Sequence, residues 1–361
     1  MSGLRIELAK HGLMSTSAYA VGTDEYRFAT GFLDRLWLRA RMYPGFGLQI
    51  IRESMSANTA EISVVTTNPF FAPALSTASL SRRGSKVVQL LWDLFPDALI
   101  EAGVIGKHTI SARLLGGMTR RALERCDATV FLGDHLKSYA ESIYGPAKHG
   151  VVIPVGADAE PFLSNMPELL DPSVALKILY CGNMGKMHDV ETIAGALMKL
   201  SSSKSGGVAK FYGTGEGLVR MRGTAAAMRG SMLVQVGPSL MDDEWIREMK
   251  EASIALVTMN QGSEHVVMPS KTYSALVAGQ AVLAVCPRKS DLADLVQRHN
   301  CGWVIEPGDV NGLTDLIEYL TTAPGEVLEK RLNAFSAGHN IYSAKVVAKQ
   351  WVNLFEDIRQ G

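Results

Sequence analysis

The chain has 361 residues, 47% hydrophobic and 20% charged, a globular balance that excludes a disordered or fibrous chain and leaves room for two domains. Lys+Arg and Asp+Glu both number 36, and a formal net charge of zero argues against nucleic acid as a partner. In chain order, MSGLRIELAKHG comes first and lacks the apolar core of a signal peptide. Residues 26–57 read as helical, with Trp37, Leu38, Tyr43, Phe46 and Leu48 interleaved with Arg35, Arg39 and Arg41. That mixture suits packing within a first domain, or a peripheral membrane contact. EISVVTT (61–67), KVVQLLW (86–92), ATVFL (128–132) and HGVVIP (149–154) predict strands, and residues 107–126 and 134–143 predict helices. Two more basic clusters, Arg82, Arg83 and Lys86, then Arg113, Arg120, Arg121 and Arg125, read as solvated surface or as a face toward anionic lipid.

The segment VIPVGADAEPF (152–162) carries the Pro and Gly of a linker, and the domains are expected to divide at 158/159. Beyond it, strands and helices alternate with short links. ALKILYC (175–181), VAKFYG (208–213), MLVQVG (232–237), SIALVTM (253–259), AVLAV (281–285) and GWVIE (302–306) predict strands. Residues 189–200, 215–230, 242–252, 271–279, 290–299 and 309–320 predict the helices between and after them. Such alternation predicts a parallel sheet with helices on both faces, which binds ligands at the carboxyl ends of its strands. Residues 159–335 form this second domain, and 336–361 hold a last amphipathic helix (341–358) with no strand of its own. Cys126, Cys181, Cys286 and Cys301 form no CxxC pair and suit buried thiols in a reducing compartment. No apolar run reaches the roughly 18 residues of a membrane span, so the expected location is cytoplasmic, with the inner membrane face as the alternative.

The chemistry concentrates at the strand ends. Pro269-Ser270-Lys271 opens a helix, with Ser270 placed to cap it. Unpaired amides at such a terminus suit a phosphate, Ser270 and Thr272 add hydroxyls and Lys271 adds charge. A plain capped helix is the competing reading. YCGNMGKMHDVE (180–191) ends another strand with Gly182, Asn183, Lys186 and His188. FYGTGEG (211–217) supplies Gly213 and Gly215, and VQVGPS (234–239) supplies Gly237 and Pro238. Glycine turns let a ligand approach the backbone, so the set points to a nucleoside-diphosphate site. In the first half, Asp93 of WDLFPD follows a buried strand and is a candidate catalytic base or acceptor-positioning carboxylate. Asp97 could share that role, and a helix cap is the competing reading for Asp93. His11, His135 and His149 have no metal-ligand spacing.

The ordered set YCGNMGK, FYGTGEG, VQVGPSLMDDEWIREMKEASIALVTM, VVMPSKTYSALVAGQAVLAV and CGWVIEPGD resembles the donor-binding domain of retaining glycosyltransferases of the GT-B fold, family 4. LLWDLFPDAL, ATVFLGDHLKSYA and VIPVGAD resemble the same group, in particular its bacterial surface-polysaccharide members. The resemblance implies two Rossmann-like parallel-sheet domains facing a cleft, with a last helix that returns to the first domain. It implies transfer of a sugar, with retention, from a UDP- or GDP-linked donor to a glycan or polyprenyl-linked acceptor. It implies no metal or cofactor, the leaving diphosphate being held by amides and cations.

The chain departs from the family pattern at several positions. Asn183 stands where the family has an arginine, His188 roughly where it has a lysine, and Lys186 is the substitute cation. Ser274 stands where a glutamate usually holds the ribose, and Glu264 is near the other glutamate but out of spacing. The start of the chain is a poor match, so the first strand–helix unit is either reduced or misassigned. These losses motivate a second reading, a degenerate protein that binds a nucleotide-sugar or a partner enzyme without catalysis. A nicotinamide-dependent dehydrogenase ranks last, because the turn after the first strand of the domain, YCGNMGKMH, lacks the dinucleotide pattern.

Overall fold

A computed structural model describes residues 2–13, 44–52, 55, 60–169, 175–201, 206–228 and 232–360. Arg35, Arg39, Arg41, Trp37, Leu38 and Tyr43, with most of the helix expected over 26–57, lie outside the described residues. The chain divides into two compact units, residues 8–153 with 350–361, and residues 1–7 with 154–349.

The first unit holds four strands, β1 (Ile62–Thr66), β2 (Lys86–Leu90), β3 (Ala128–Phe131) and β4 (Gly150–Val152). They pair in parallel in chain order, β1-β2-β3-β4. A parallel sheet covered on both faces needs apolar side chains on both, and in β2 and β3 every residue from Val87 and from Ala128 onward is buried. Phe46 packs with Ile50, Val65, Ala72 and Leu75 on one face, whereas Leu48 is exposed. Helices not read in the sequence, Ala72–Ser79 and Asp97–Glu101, follow β1 and β2. The expected helices are present as Ile110–Arg125 and Asp134–Tyr144. Residues 350–361 fold with this unit, where Arg359 donates two hydrogen bonds of 2.9 Å to the Glu61 carboxylate.

The second unit holds β5 (Leu176–Asn183), β6 (Gly207–Thr214), β7 (Met232–Gly237), β8 (Ile254–Thr258), β9 (Ala281–Val285) and β10 (Gly302–Ile305). The six are parallel in the order β10-β9-β8-β5-β6-β7. The chain winds outward from β5 to β7, then restarts at β8 on the other side of β5. The switch point therefore lies between β5 and β8, and a crevice is expected outside their carboxyl ends. A 17-residue helix, Pro324–Asn340, was not expected. Its buried face is Val327, Arg331, Ala334, Ala337 and Gly338, a pattern of one valine, small residues and an arginine that carries little apolar signal.

Candidate functional site

The loops leaving β5 and β8 are stitched together at the switch point. Thr258 at the end of β8 accepts from the Asp189 amide (3.1 Å) and donates to the Asp189 carbonyl (2.9 Å). Asn260 donates from its amide to the Met187 carbonyl (2.9 Å) and from Nδ2 to the Lys186 carbonyl (2.6 Å). Asp189 is buried and accepts from the Thr192 amide (3.0 Å) and the Thr192 hydroxyl, which starts the helix Glu191–Leu200. These bonds fix the backbone of residues 184–190 across two strands.

Lys271 reaches back from the helix Lys271–Val277 to the end of β5. Its Nζ donates to the Tyr180 hydroxyl (2.6 Å), lies 3.3 Å from His188 Nε2 and sits 3.9 Å from the centroid of the Tyr180 ring. No carboxylate pairs with it among the described residues. Part of the side chain remains accessible, yet desolvation of the ammonium pushes its pKa down to about 7. Tyr180 is buried and its hydroxyl donates a hydrogen bond to the Asn183 carbonyl (3.0 Å), which leaves the phenol oxygen to accept from Lys271. His188 is pushed down to about 3, first by burial and then by the Lys271 charge, so its imidazole is neutral. The Gly185 carbonyl 3.3 Å from Nδ1 requires the ring proton there, which leaves the Nε2 lone pair for Lys271. His188, which stands roughly where the family has a lysine, is therefore a neutral acceptor beside Lys271. Tyr180 was missed by sequence reasoning, since one aromatic inside an apolar strand looks like core.

Lys271 packs against Gly182, where a Cβ would lie in van der Waals contact, 3.6 Å from Lys271 Cε and Nζ. Asn183 is exposed, and its Oδ1 accepts from the Thr214 hydroxyl (3.2 Å). Lys186 is exposed, with no hydrogen bond or ion pair from its side chain among the described residues. The structure thus gathers Gly182, Asn183, Lys186, His188 and Lys271 around the β5 end.

The helix start differs from the expected cap. Ser270 occupies the N-cap position in a helical conformation, and its side chain makes no cap hydrogen bond. Because Pro269 and Ser270 turn early, the Thr272 and Tyr273 amides bond back to the Pro269 and Ser270 carbonyls (3.1 and 3.2 Å) and are not available to a ligand. Ser270 is exposed; Thr272 is fully buried, and its Oγ1 has no partner among the described residues. Ser274 is half-buried one turn into the helix. Glu264 is buried in its own turn, where it accepts from the Gly262 amide (2.6 Å) and lies 3.5 Å from His265 Nε2. The other end of this short helix is anchored firmly. His339 donates to the Val277 carbonyl (2.9 Å), Asn165 to that of Ala278 (3.0 Å) and Arg331 to that of Gly279 (3.1 Å). Three carbonyls at and just past the helix end are thereby satisfied, one by a cation that suits the helix dipole.

The glycine turns do a different job from the one expected. A Cβ on Gly213 would fall 1.9 Å from the Gly182 carbonyl oxygen, and one on Gly215 2.4 Å from that of Met184. Both residues have positive φ, +142° and +108°. What approaches these glycines is the chain's own β5 loop. Gly237 and Pro238 end the edge strand β7, two strands from the switch point, with the Tyr212 ring 2.8 Å from a Gly237 Cβ. They are not brought to Lys271.

In the first unit, Asp93 follows β2. The Trp92 and Asp93 amides donate to Thr67 Oγ1 (3.1 and 3.2 Å), which ties this turn to the end of β1. The Asp93 carboxylate has no partner among the described residues, and burial raises its pKa. It does not cap the next helix, whose N-cap is Pro96 and whose first residue is Asp97. Asp97 accepts from the Tyr139 hydroxyl (3.0 Å) and from that of Tyr144, which makes it a tie to the helix Asp134–Tyr144. No three His, Cys, Asp or Glu side chains among the described residues come together to hold a metal. No described helix is long and apolar enough to cross a membrane.

No protein-family profile matches the sequence. It is 26% identical over 313 residues, 83% of this chain and 76% of the relative, to a protein described as probable glycosyltransferase WbjE of Pseudomonas aeruginosa. Among solved structures it is similar to a sucrose-phosphate synthase of Thermosynechococcus elongatus, with TM-score 0.72 and 13% identity over 99% of this chain and 92% of that one. It is also similar to HepE of Anabaena in complex with UDP-glucose, with TM-score 0.66 and 13% identity over 95% and 98% of the two chains. The fold is GT-B, as the motif resemblance implied, and the curated relative is described as a glycosyltransferase.

Proposed function

We propose that the chain is a retaining glycosyltransferase that passes a sugar from a UDP-linked donor to a glycan or lipid-linked acceptor in polysaccharide biosynthesis. Glycosyl transfer is the activity that the fold and the curated relative support together. The choice of UDP over GDP follows the structural neighbour that holds UDP-glucose. The observation that carries the donor site is Lys271, a desolvated cation without a carboxylate at the β5/β8 switch point. A diphosphate would supply the missing negative charge, and as the glycosidic bond to the donor breaks, the same ammonium would stabilise the charge that collects on the leaving phosphate. Lys186 and the Ser270 hydroxyl, both exposed, are the further polar groups proposed for the diphosphate and its surroundings. Asp93, with its raised pKa and unpartnered carboxylate, is proposed to position or deprotonate the acceptor hydroxyl. Retention follows the family resemblance. The domain limits 1–158, 159–335 and 336–361 and a location at the inner membrane face belong to the same proposal.

One observation favours the degenerate, binding-only reading. Glu264 is committed to its own turn and Ser274 replaces the other glutamate, so neither supplies a free carboxylate for a ribose. The test is thermal unfolding of the full chain with UDP, GDP, ADP or CDP. Ligand bound only to the folded chain raises Tm by mass action. The donor-site reading expects a selective rise with UDP that is absent in Lys271→Met. Release of UDP from UDP-glucose with acceptor extract then separates enzyme from binding module. A flat response to all four at millimolar concentration would overturn the donor site.

A further inference from the structure

We infer that the helix Ile110–Arg125 of the first unit is a docking face for an anionic membrane surface. The helix sits with Ala112, Ala122 and Leu123 buried and its opposite side in solvent. Residues 110, 114, 117 and 121 follow one another along that solvent side at helical spacing. Ile110 is 76% exposed, Leu114 66%, and Val104, in the turn leading into the helix, 63%. Isolated exposed aliphatics are ordinary, but three within eleven residues at one end of a helix form a patch. Exposed cations surround them, namely Lys107, Arg113, Arg120, Arg121 and Arg125, none with a side-chain hydrogen bond or ion pair among the described residues. The exposed acids on the same stretch are Glu101 and Glu124. A chain with no net charge therefore concentrates an excess of three positive charges around its exposed aliphatic helix end. Charge complementarity selects anionic phospholipid as the occupant: the aliphatic tips enter the headgroup layer and the guanidinium groups meet lipid phosphates.

The test is co-sedimentation of the full chain with vesicles of phosphatidylcholine alone, and of phosphatidylcholine with one third phosphatidylglycerol. Binding is expected to the anionic vesicles, to weaken with salt and to be slight with neutral ones. Neutralising one arginine near the surface should weaken partitioning about fivefold. R113Q/R121Q should therefore lose more than tenfold, and I110S/L114S a similar amount. All four side chains are exposed, so the variants should keep the wild-type Tm. Equal binding to both vesicle types, or binding untouched by either double variant, would overturn the proposal. So would absence of vesicle binding together with a concentration-dependent dimer lost in I110S/L114S, which would assign the patch to a second copy of the chain. None of these readouts depends on nucleotide binding.

Discussion

A lysine ammonium that touches a phenol and a neutral imidazole, but no carboxylate, is charged only at the cost of its lost hydration. Its pKa falls to about 7 in the fold from 10.5, so the unfolded chain holds this proton more tightly between those values. Lys271 therefore contributes stability that rises with pH across that window, whereas the four thiols that burial pushes up to about 12 contribute the opposite sign; the difference between wild-type and Lys271→Met denaturant midpoints, compared at pH 7 and pH 9, isolates the lysine. Affinity for an anion runs the other way. The groups facing Lys271 are His188, pushed down to about 3, Cys181, pushed up to about 12, and Tyr180, also raised, so none of them titrates near neutrality. The Kd for UDP-glucose should be constant below about pH 7 and rise by up to tenfold per pH unit above it. A Kd flat to pH 9 would remove Lys271 from the site. Tyr180→Phe fits the same buried, ring-stacked space against Phe211 but deletes the acceptor for Nζ. It should shift the Kd inflection to lower pH and, because the Asn183 carbonyl also loses its donor, lower Tm modestly, whereas a purely structural role would change Tm alone. Of this constellation, Lys271 and the β5 turn were legible, because a charge at a strand–helix junction stands out from its neighbours. The neutral state of His188 was not, because it depends on a carbonyl and an ammonium that only the fold brings together.

At the scale of elements, strand limits followed closely from hydrophobic runs. MLVQVG and AVLAV are strands from their first to their last residue, and AVLAV is buried throughout. The helix Pro324–Asn340 stayed illegible because it buries alanines, Gly338 and a carbonyl-bonded Arg331 where a core-facing helix usually shows an apolar stripe. Gly338 lets it approach closely, since a Cβ there would lie 2.5 Å from the Leu276 carbonyl carbon. The glycines of FYGTGEG were visible but their purpose was not, since closeness to a ligand and closeness to another strand leave the same trace in a sequence. Gly213→Ala meets both a forbidden φ and the Gly182 carbonyl, and should cost more than about 4 kcal/mol by denaturant unfolding. Gly223→Ala is the control: it lies in the helix Glu216–Ala227 with nothing within 4 Å of its Cβ, and should be stabilising by about 0.5–1 kcal/mol. Equal effects of the two substitutions would contradict the tight β5–β6 junction.

For the whole molecule, the proposed donor anchor Lys271 falls in one unit and the proposed acceptor-side Asp93 in the other. UDP alone should slow amide exchange at residues 180–190 and 259–275 of the second unit, with smaller changes across β1–β4. The measurement that tests the central claim most directly is calorimetric titration of UDP into wild type and Lys271→Met, with the apo Tm of each. Methionine fills a similar space and carries no charge to desolvate, so the variant should be at least as stable as wild type when empty. Its UDP affinity should fall roughly tenfold to a hundredfold, the value of a charge-assisted hydrogen bond to phosphate. An apo variant as stable as wild type that binds UDP equally well would contradict the assignment of Lys271 as the diphosphate anchor.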